Sequence, residues 1–170
     1  MYIIESLFFC QLQILKRGEM NMENHEVESI LQACACASLR TVSRSLTQLY
    51  NQILQPTGLK ITQYYMLVTI YQYKKRSISE LSDIMMLDQT TITRNVNVLI
   101  KNEFVHVERD EHDSRSKCVS LTAIGVKKLY EATPIWMKVQ EKIESEIGTD
   151  DYQHLLRTLK KVQHIITHYD

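Results

Sequence analysis

Apolar residues recur along the chain at helical spacing in four segments. The first covers residues 27–53, where positions three or four apart place one apolar stripe along a helix. Stripes of the same period run over residues 64–71 and 92–99, and a last one over residues 152–166. The pattern predicts a chain built mainly from amphipathic helices.

The period changes in two short runs in the second half of the chain. Val105 and Val107 share one face of an extended segment, and so do Val119 and Leu121. Alternation with period two predicts strands. Residues 109–117, between the two runs, contain no apolar side chain and indicate a long exposed tip. The predicted fold class is therefore mainly α with a small β-hairpin.

Polar residues at helix starts divide the middle of the chain into two short helices joined by a tight turn. Ser77 and Glu80 have the spacing of a capping box, and Asp88 is a favourable N-cap for the next helix. Two short helices followed by a two-stranded wing have the outline of a winged helix-turn-helix. Thr122 then caps a long helix that is expected to break or bend near Pro134.

The second of the two short helices has two different faces. Ile92, Val96 and Leu99 form a seam that is expected to be buried. The opposite face carries hydroxyl, amide and cationic groups, which can contact base edges and phosphates of DNA. Its members are Thr90, Thr93, Arg94, Asn97 and Lys101. A solvated helix face has the same composition, and it is the neighbouring wing that favours the DNA interpretation.

Several motifs along this region together carry a family resemblance. They are Leu81-Ser82, the run Leu87-Asp-Gln-Thr-Thr-Ile-Thr-Arg94 with Val96 and Leu99, the tip Arg109-Asp-Glu-His-Asp-Ser-Arg115, and Val119-Ser-Leu-Thr122 with Gly125. These motifs resemble those of the MarR family of bacterial transcription regulators. The resemblance covers residues 27 to about 168.

The resemblance implies a set of DNA contacts on the recognition helix and the wing. Arg115 is implied to enter the minor groove, and Asp113 to steady the wing. The full set of implied DNA-binding residues is Gln89, Thr90, Thr91, Thr93, Arg94, Asn97, Asp113, Arg115 and Lys117. Met86 departs from the family, which often has glycine there. Since methionine tolerates a left-handed backbone poorly, the turn is expected to be built differently.

The ends of the chain are expected to make a homodimer. In the family that the chain resembles, the first helix and the last two helices interlock between two subunits. Residues 1–21 are an atypical extension, outside the native protein if translation begins at Met20 or Met22. Residues 22–170 form one MarR-like domain, with dimerisation helices at 27–55 and 123–168 and a winged helix-turn-helix lobe at 60–122. A dimer doubles the contacts with a palindromic double-stranded operator.

The cysteine pair near the start of the first helix leaves two interpretations open. Cys34 and Cys36 point to nearly opposite sides of a helix and cannot bridge each other there. Residues 36–50 resemble the first helix of organic-hydroperoxide-sensing MarR proteins. That resemblance implies that Cys36 is a redox-sensing thiol and that Tyr50 contacts it. Arg40 replaces a second tyrosine of that site and could favour the thiolate. Inert packing of both cysteines is the alternative.

Two further functions compete with thiol sensing. A repressor with structural cysteines could respond to a small aromatic ligand, in a pocket lined by Tyr64, Tyr65, Met66 and Trp136. An interaction protein or antirepressor could keep the winged fold without binding DNA. Substitution of Arg94 and Arg115 distinguishes such an interaction protein from a DNA-binding regulator. In a regulator, loss of the two arginines should abolish operator binding.

Composition and charge exclude several other classes. The 20 basic and 20 acidic residues give a net charge of zero, which excludes a uniformly basic coat that binds nucleic acid without sequence preference. Four cysteines without a CxxC pair favour a reduced, cytoplasmic setting. The sequence carries no motif of an enzyme, and no cofactor, metal or membrane partner is expected.

Overall fold

The computed structural model describes Ile30, residues 33–109 and residues 117–169. In chain order the elements are α1 (Ala35–Leu54), a 3-10 helix (Gln55–Thr57), α2 (Ile61–Tyr73), β1 (Arg76–Ser77), α3 (Ile78–Met85), α4 (Gln89–Lys101), β2 (Val105–Arg109), β3 (Lys117–Leu121), α5 (Ala123–Ile147) and α6 (Thr149–Thr167). The predicted fold class is confirmed. The extension predicted over residues 1–21 lies outside the described residues.

The described chain divides into two compact units. The central unit spans residues 45–142 and contains α2, α3, α4 and the three strands. The terminal unit comprises the described residues up to Arg44 and those from Ile143 onward.

The sheet of the central unit has the order β1-β3-β2, with both pairings antiparallel. The predicted hairpin places Val107 opposite Val119. On the other edge of β3, Arg76 pairs with Val119 and Ser77 with Cys118. This third strand was not predicted, because two residues are too few to show an alternation and their partner lies far along the chain.

Aliphatic side chains from the helices and strands of the central unit form its core. Its fully buried members include Leu67, Ile70, Leu81, Ile92, Leu99 and Val119. The predicted seam of α4 is confirmed, since Ile92, Val96 and Leu99 are at most 2% exposed. Burial of this seam fixes which side of α4 faces away from the core.

The turn between α3 and α4 has a left-handed residue at Met86, with φ 52° and ψ 44°. The amide of Leu87 donates to the carbonyl of Ser82 at 3.1 Å, and the amide of Met86 donates to that of Asp83 at 3.3 Å. This pair of bonds is a Schellman motif, which glycine usually completes. The expectation of a differently built turn was therefore wrong. Methionine takes the conformation of glycine, at a strain cost of about 1–2 kcal/mol.

The start of α5 packs directly on the connection between α4 and β2. The Thr122 hydroxyl donates to the Glu103 carbonyl at 2.6 Å and accepts the Gly125 amide at 2.9 Å. A Cβ atom on Gly125 would lie 1.9 Å from the carbonyl oxygen of Phe104. Only glycine allows this approach, which ties the base of the wing and the end of α4 to α5.

The long helix α5 continues through Pro134 from Ala123 to Ile147, so the break expected there does not occur. Proline removes one backbone donor from the helix. Neighbouring residues hold the segment in place. Ala132 is fully buried, and the Thr133 hydroxyl donates to the Leu129 carbonyl at 2.8 Å.

Candidate nucleic-acid interface

Asp88 sets the first turn of α4. One carboxylate oxygen accepts the Thr91 amide at 2.8 Å, and the other accepts the Thr91 hydroxyl at 2.7 Å. The predicted N-cap is confirmed. Above all, the side-chain hydrogen bond from Thr91 lowers the pKa of Asp88 below its usual 3.8, with the Thr91 amide adding to the effect. The charged carboxylate therefore stabilises the start of the helix.

Asp88→Ala is expected to destabilise the protein at about pH 7 and to do so progressively less as the pH falls. The native pKa of Asp88 lies below the unfolded one, so its contribution is full above pH 3.8 and is lost as the pH falls through the lower native value. Urea unfolding across this range measures the difference. Asp88→Asn is the control, because it keeps an acceptor oxygen and removes the titration. A difference between wild type and Asp88→Ala that is constant with pH would contradict the assignment.

The exposed face of α4 presents five polar side chains around one shallow depression of about 560 Å³, namely Gln89, Thr90, Thr93, Arg94 and Asn97. We call this set the α4 polar face. Among the described residues, none of the five side chains hydrogen-bonds to another group of the protein. Their donors and acceptors are therefore available to an external partner.

Other polar residues of the same helix are bound within the protein. Asn95 donates to the Thr91 carbonyl at 2.9 Å, and Asn102 donates to the Val98 carbonyl at 2.7 Å. Thr91 is half-buried and engages Asp88, so the structure separates it from the α4 polar face. The sequence placed Thr91 among the DNA contacts, because periodicity alone does not show that a hydroxyl is already bonded.

The wing contributes fewer of the expected residues. Lys117 is exposed and pairs with Arg109 at the last register position of the hairpin before residues 110–116. Asp113 and Arg115 lie outside the described residues. Strand β2 of the wing is tied to the segment between α2 and β1 by an ion pair between Lys75 and Glu108, with 3.2 Å between nitrogen and oxygen. This ion pair was not predicted, because it joins residues far apart in the sequence and no local spacing indicates it.

The residues of the predicted thiol site lie along α1. Cys36 and Arg40 are both exposed and lie one helical turn apart. Cys34 is half-buried, and its sulfur accepts the Ala37 amide at 3.5 Å. In the central unit, the Tyr50 hydroxyl donates to the side-chain oxygen of Gln140 at 3.0 Å.

The residues proposed for an aromatic-ligand pocket have different environments. Tyr64 stacks on Trp136 with 6.0 Å between the ring centroids, and its hydroxyl lies 3.2 Å from that of Thr133. Met66 is fully buried in the core, whereas Tyr65 is 51% exposed. Tyr64 and Trp136 therefore form a packed aromatic pair, whereas the side chain of Tyr65 faces solvent.

Comparisons with known proteins agree with this architecture. The family model of the transcriptional regulators SarA/Rot matches residues 48–132, from the end of α1 through the wing into α5. The chain belongs to this family. The family consists of regulators and not of enzymes, which confirms the prediction that the chain is not an enzyme.

Individual relatives extend the match beyond that region. The organic hydroperoxide resistance transcriptional regulator of Bacillus subtilis is 26% identical over 104 residues, which cover 61% of this chain and 71% of the relative. The M. tuberculosis regulator MosR, solved in complex with DNA, is 32% identical, with a TM-score of 0.71 over 79% of this chain and 96% of MosR.

The fold is also that of a mutant E. coli MarR complexed with operator DNA. Here the TM-score is 0.72 at 21% identity, over 78% of this chain and 96% of MarR. The predicted winged-helix regulator of the MarR type is confirmed. In the part of the chain that the structure describes, no helix is long and apolar enough to cross a membrane.

Proposed function

We propose that the chain is a sequence-specific DNA-binding regulator, and one observation carries the proposal. The α4 polar face combines a guanidinium, two amides and two hydroxyls that engage no other described group. Arginine is suited to guanine and the amide side chains to adenine in the major groove. The DNA complex of MosR, which is 32% identical, supports the assignment.

The regulator acts as a homodimer on a palindromic operator. Helix α6 has no buried residue, and it exposes a stripe that includes Leu155, Leu156, Leu159 and Ile166. Helix α1 likewise exposes Leu39, Val42, Leu46 and Leu49, at spacings of three and four. Apolar stripes of this length are typical of a helical interface with a second copy. Two copies present two recognition helices to two half-sites.

Replacing both Arg94 and Arg115 with alanine is expected to abolish specific binding and to flatten its salt dependence. Each arginine supplies a base or groove contact worth roughly 1–3 kcal/mol and releases counterions on binding. Fluorescence anisotropy with operator DNA over a range of salt concentrations measures both effects. Lys127→Ala, an exposed cation on α5, is the charge control. Binding that is unchanged in the double variant would favour an interaction protein that does not use DNA.

We further propose that the regulator is a repressor released by oxidation of Cys36. The thiol is exposed on α1, and the exposed Arg40 lies one turn further along the same helix. The Cys36 thiolate attacks an organic hydroperoxide, an S–O bond forms, the O–O bond breaks and an alcohol leaves. The cysteine is oxidised to sulfenic acid as the peroxide is reduced. The similarity to the organic hydroperoxide resistance regulator of Bacillus subtilis supports this proposal.

Cumene hydroperoxide is expected to weaken operator binding at least about 10-fold in the wild type and in Cys34→Ser, but not in Cys36→Ser. The half-buried Cys34 is the matched control, because it lies two residues away on the same helix. Binding is followed by anisotropy before and after oxidation, and the oxidised residue is identified by mass spectrometry. A response that persists in Cys36→Ser, or is missing from all three proteins, would contradict thiol sensing and leave DNA binding intact.

A further inference from the structure

A cavity of about 330 Å³ lies beside the base of the wing, within the central unit. It is bounded by the end of α2, by β3 and by the first turns of α5, and it is lined by Ile70, Tyr71, Lys74, Lys75, Ser120, Leu121 and Val126. It does not include the stacked Tyr64 and Trp136. Its volume is at the lower end of the range of about 300–1,000 Å³ that is typical of small-molecule sites.

The lining of this cavity, which we call the wing-base cavity, combines apolar and cationic groups. Ile70, Leu121 and Val126 supply aliphatic surface, and none of the lining residues is acidic. Lys74 has a positive φ of 63°, and its ammonium lies 4.8 Å from the centre of the Tyr71 ring. Lys74 therefore combines a backbone conformation that is strained for lysine with a cation placed against the Tyr71 ring.

We propose that the wing-base cavity binds a small organic carboxylate with a compact aliphatic body. The aliphatic side chains bury the body of the ligand, and the ammonium groups of Lys74 and Lys75 receive the carboxylate. The hydroxyl of Ser120, now 3.0 Å from the ring nitrogen of His106, adds a polar group to the same lining. The lining of this site shares no residue with the α4 polar face and does not include Cys36.

The ligand also acts on the wing through Lys75. This lysine now pairs with Glu108 of β2 at 3.2 Å, so it ties the end of α2 to the hairpin. A bound carboxylate competes with Glu108 for the ammonium and loosens that tie. If the proposed DNA function holds, carboxylate binding lowers operator affinity by up to about 5-fold, which is as much as the loss of one partly exposed ion pair allows.

Calorimetric titration of the full chain with octanoate, in the absence of DNA, tests the site independently of the proposed function. Octanol lacks the charge and inorganic phosphate lacks the aliphatic body, so neither should bind as octanoate does. Lys74→Glu is expected to weaken octanoate binding at least about 10-fold. Lys127→Glu, on α5 but outside the lining, should leave it unchanged.

A second variant, Val126→Phe, fills the cavity and should also weaken octanoate binding, while thermal unfolding checks that it is folded. Octanoate binding that is absent in the wild type, or retained in both Lys74→Glu and Val126→Phe, would overturn the site. Equal binding of octanol would overturn the role of the lysines. Equal binding of phosphate would overturn the role of the aliphatic lining.

Discussion

Leu159→Glu is expected to convert the proposed dimer into monomers and to lower operator affinity at least about 100-fold. Burying a leucine is worth about 1.5–3 kcal/mol, and two-fold symmetry repeats the loss in the second copy. The introduced carboxylates would also be buried without partners, at a further cost. Sedimentation velocity gives the mass, and anisotropy gives the DNA affinity of the same samples.

His154→Glu is the matched control for this prediction. It adds the same carboxylate to α6, on the side of the helix away from the apolar stripe, where His154 is exposed. We expect it to remain dimeric and to bind DNA as the wild type does. A Leu159→Glu protein that stays dimeric at micromolar concentration would show that the α6 stripe is not the interface.

Gly125→Ala is expected to destabilise the protein by about 1–3 kcal/mol and to weaken DNA binding. In a helix, replacement of glycine by alanine normally stabilises the folded protein by roughly 0.5–1 kcal/mol. The sign of the change in the free energy of unfolding therefore distinguishes the close approach to Phe104 from an ordinary helix position. Here the new Cβ would lie 1.9 Å from a backbone oxygen of Phe104 and 2.8 Å from its carbonyl carbon. Backbone atoms cannot rotate away, so α5 must move off the connection between α4 and the wing.

Urea unfolding and operator binding of Gly125→Ala check this prediction together. Lys127→Ala, two residues further along α5, removes an exposed side chain and should change stability very little. A Gly125→Ala protein as stable as the wild type, or more stable, would show that the close approach to Phe104 does not constrain the fold.

Local sequence signals were sufficient for much of the fold. The seam at Ile92, Val96 and Leu99 was predictable because helical period and burial coincide, and Asp88 because an N-cap needs only its own neighbours. The two-residue strand β1 was not predictable, since its pairing with β3 is non-local. Met86 was misjudged because intrinsic backbone preference was weighed without the Schellman hydrogen bonds that surround the residue.

The position of the candidate interface was predictable from the sequence, but the hydrogen bonds and ion pairs of its individual side chains were not. Spacing placed Arg94 and Asn97 on one face, where the structure leaves them accessible. It did not show that Thr91 bonds Asp88, or that Lys75 pairs with Glu108 of β2. Such engagements depend on capping geometry and on contacts between distant segments, which periodicity does not encode.

Sequence-specific recognition of DNA by the α4 polar face is tested by selecting the fragments of genomic DNA that the purified protein binds. We expect enrichment of fragments that share an inverted repeat, with half-sites about one helical turn apart or a multiple of it. Enrichment should disappear in the variant with alanine at Arg94 and Arg115. Recovery of fragments without a shared symmetric sequence, or equal recovery by wild type and variant, would contradict sequence-specific recognition by the α4 polar face.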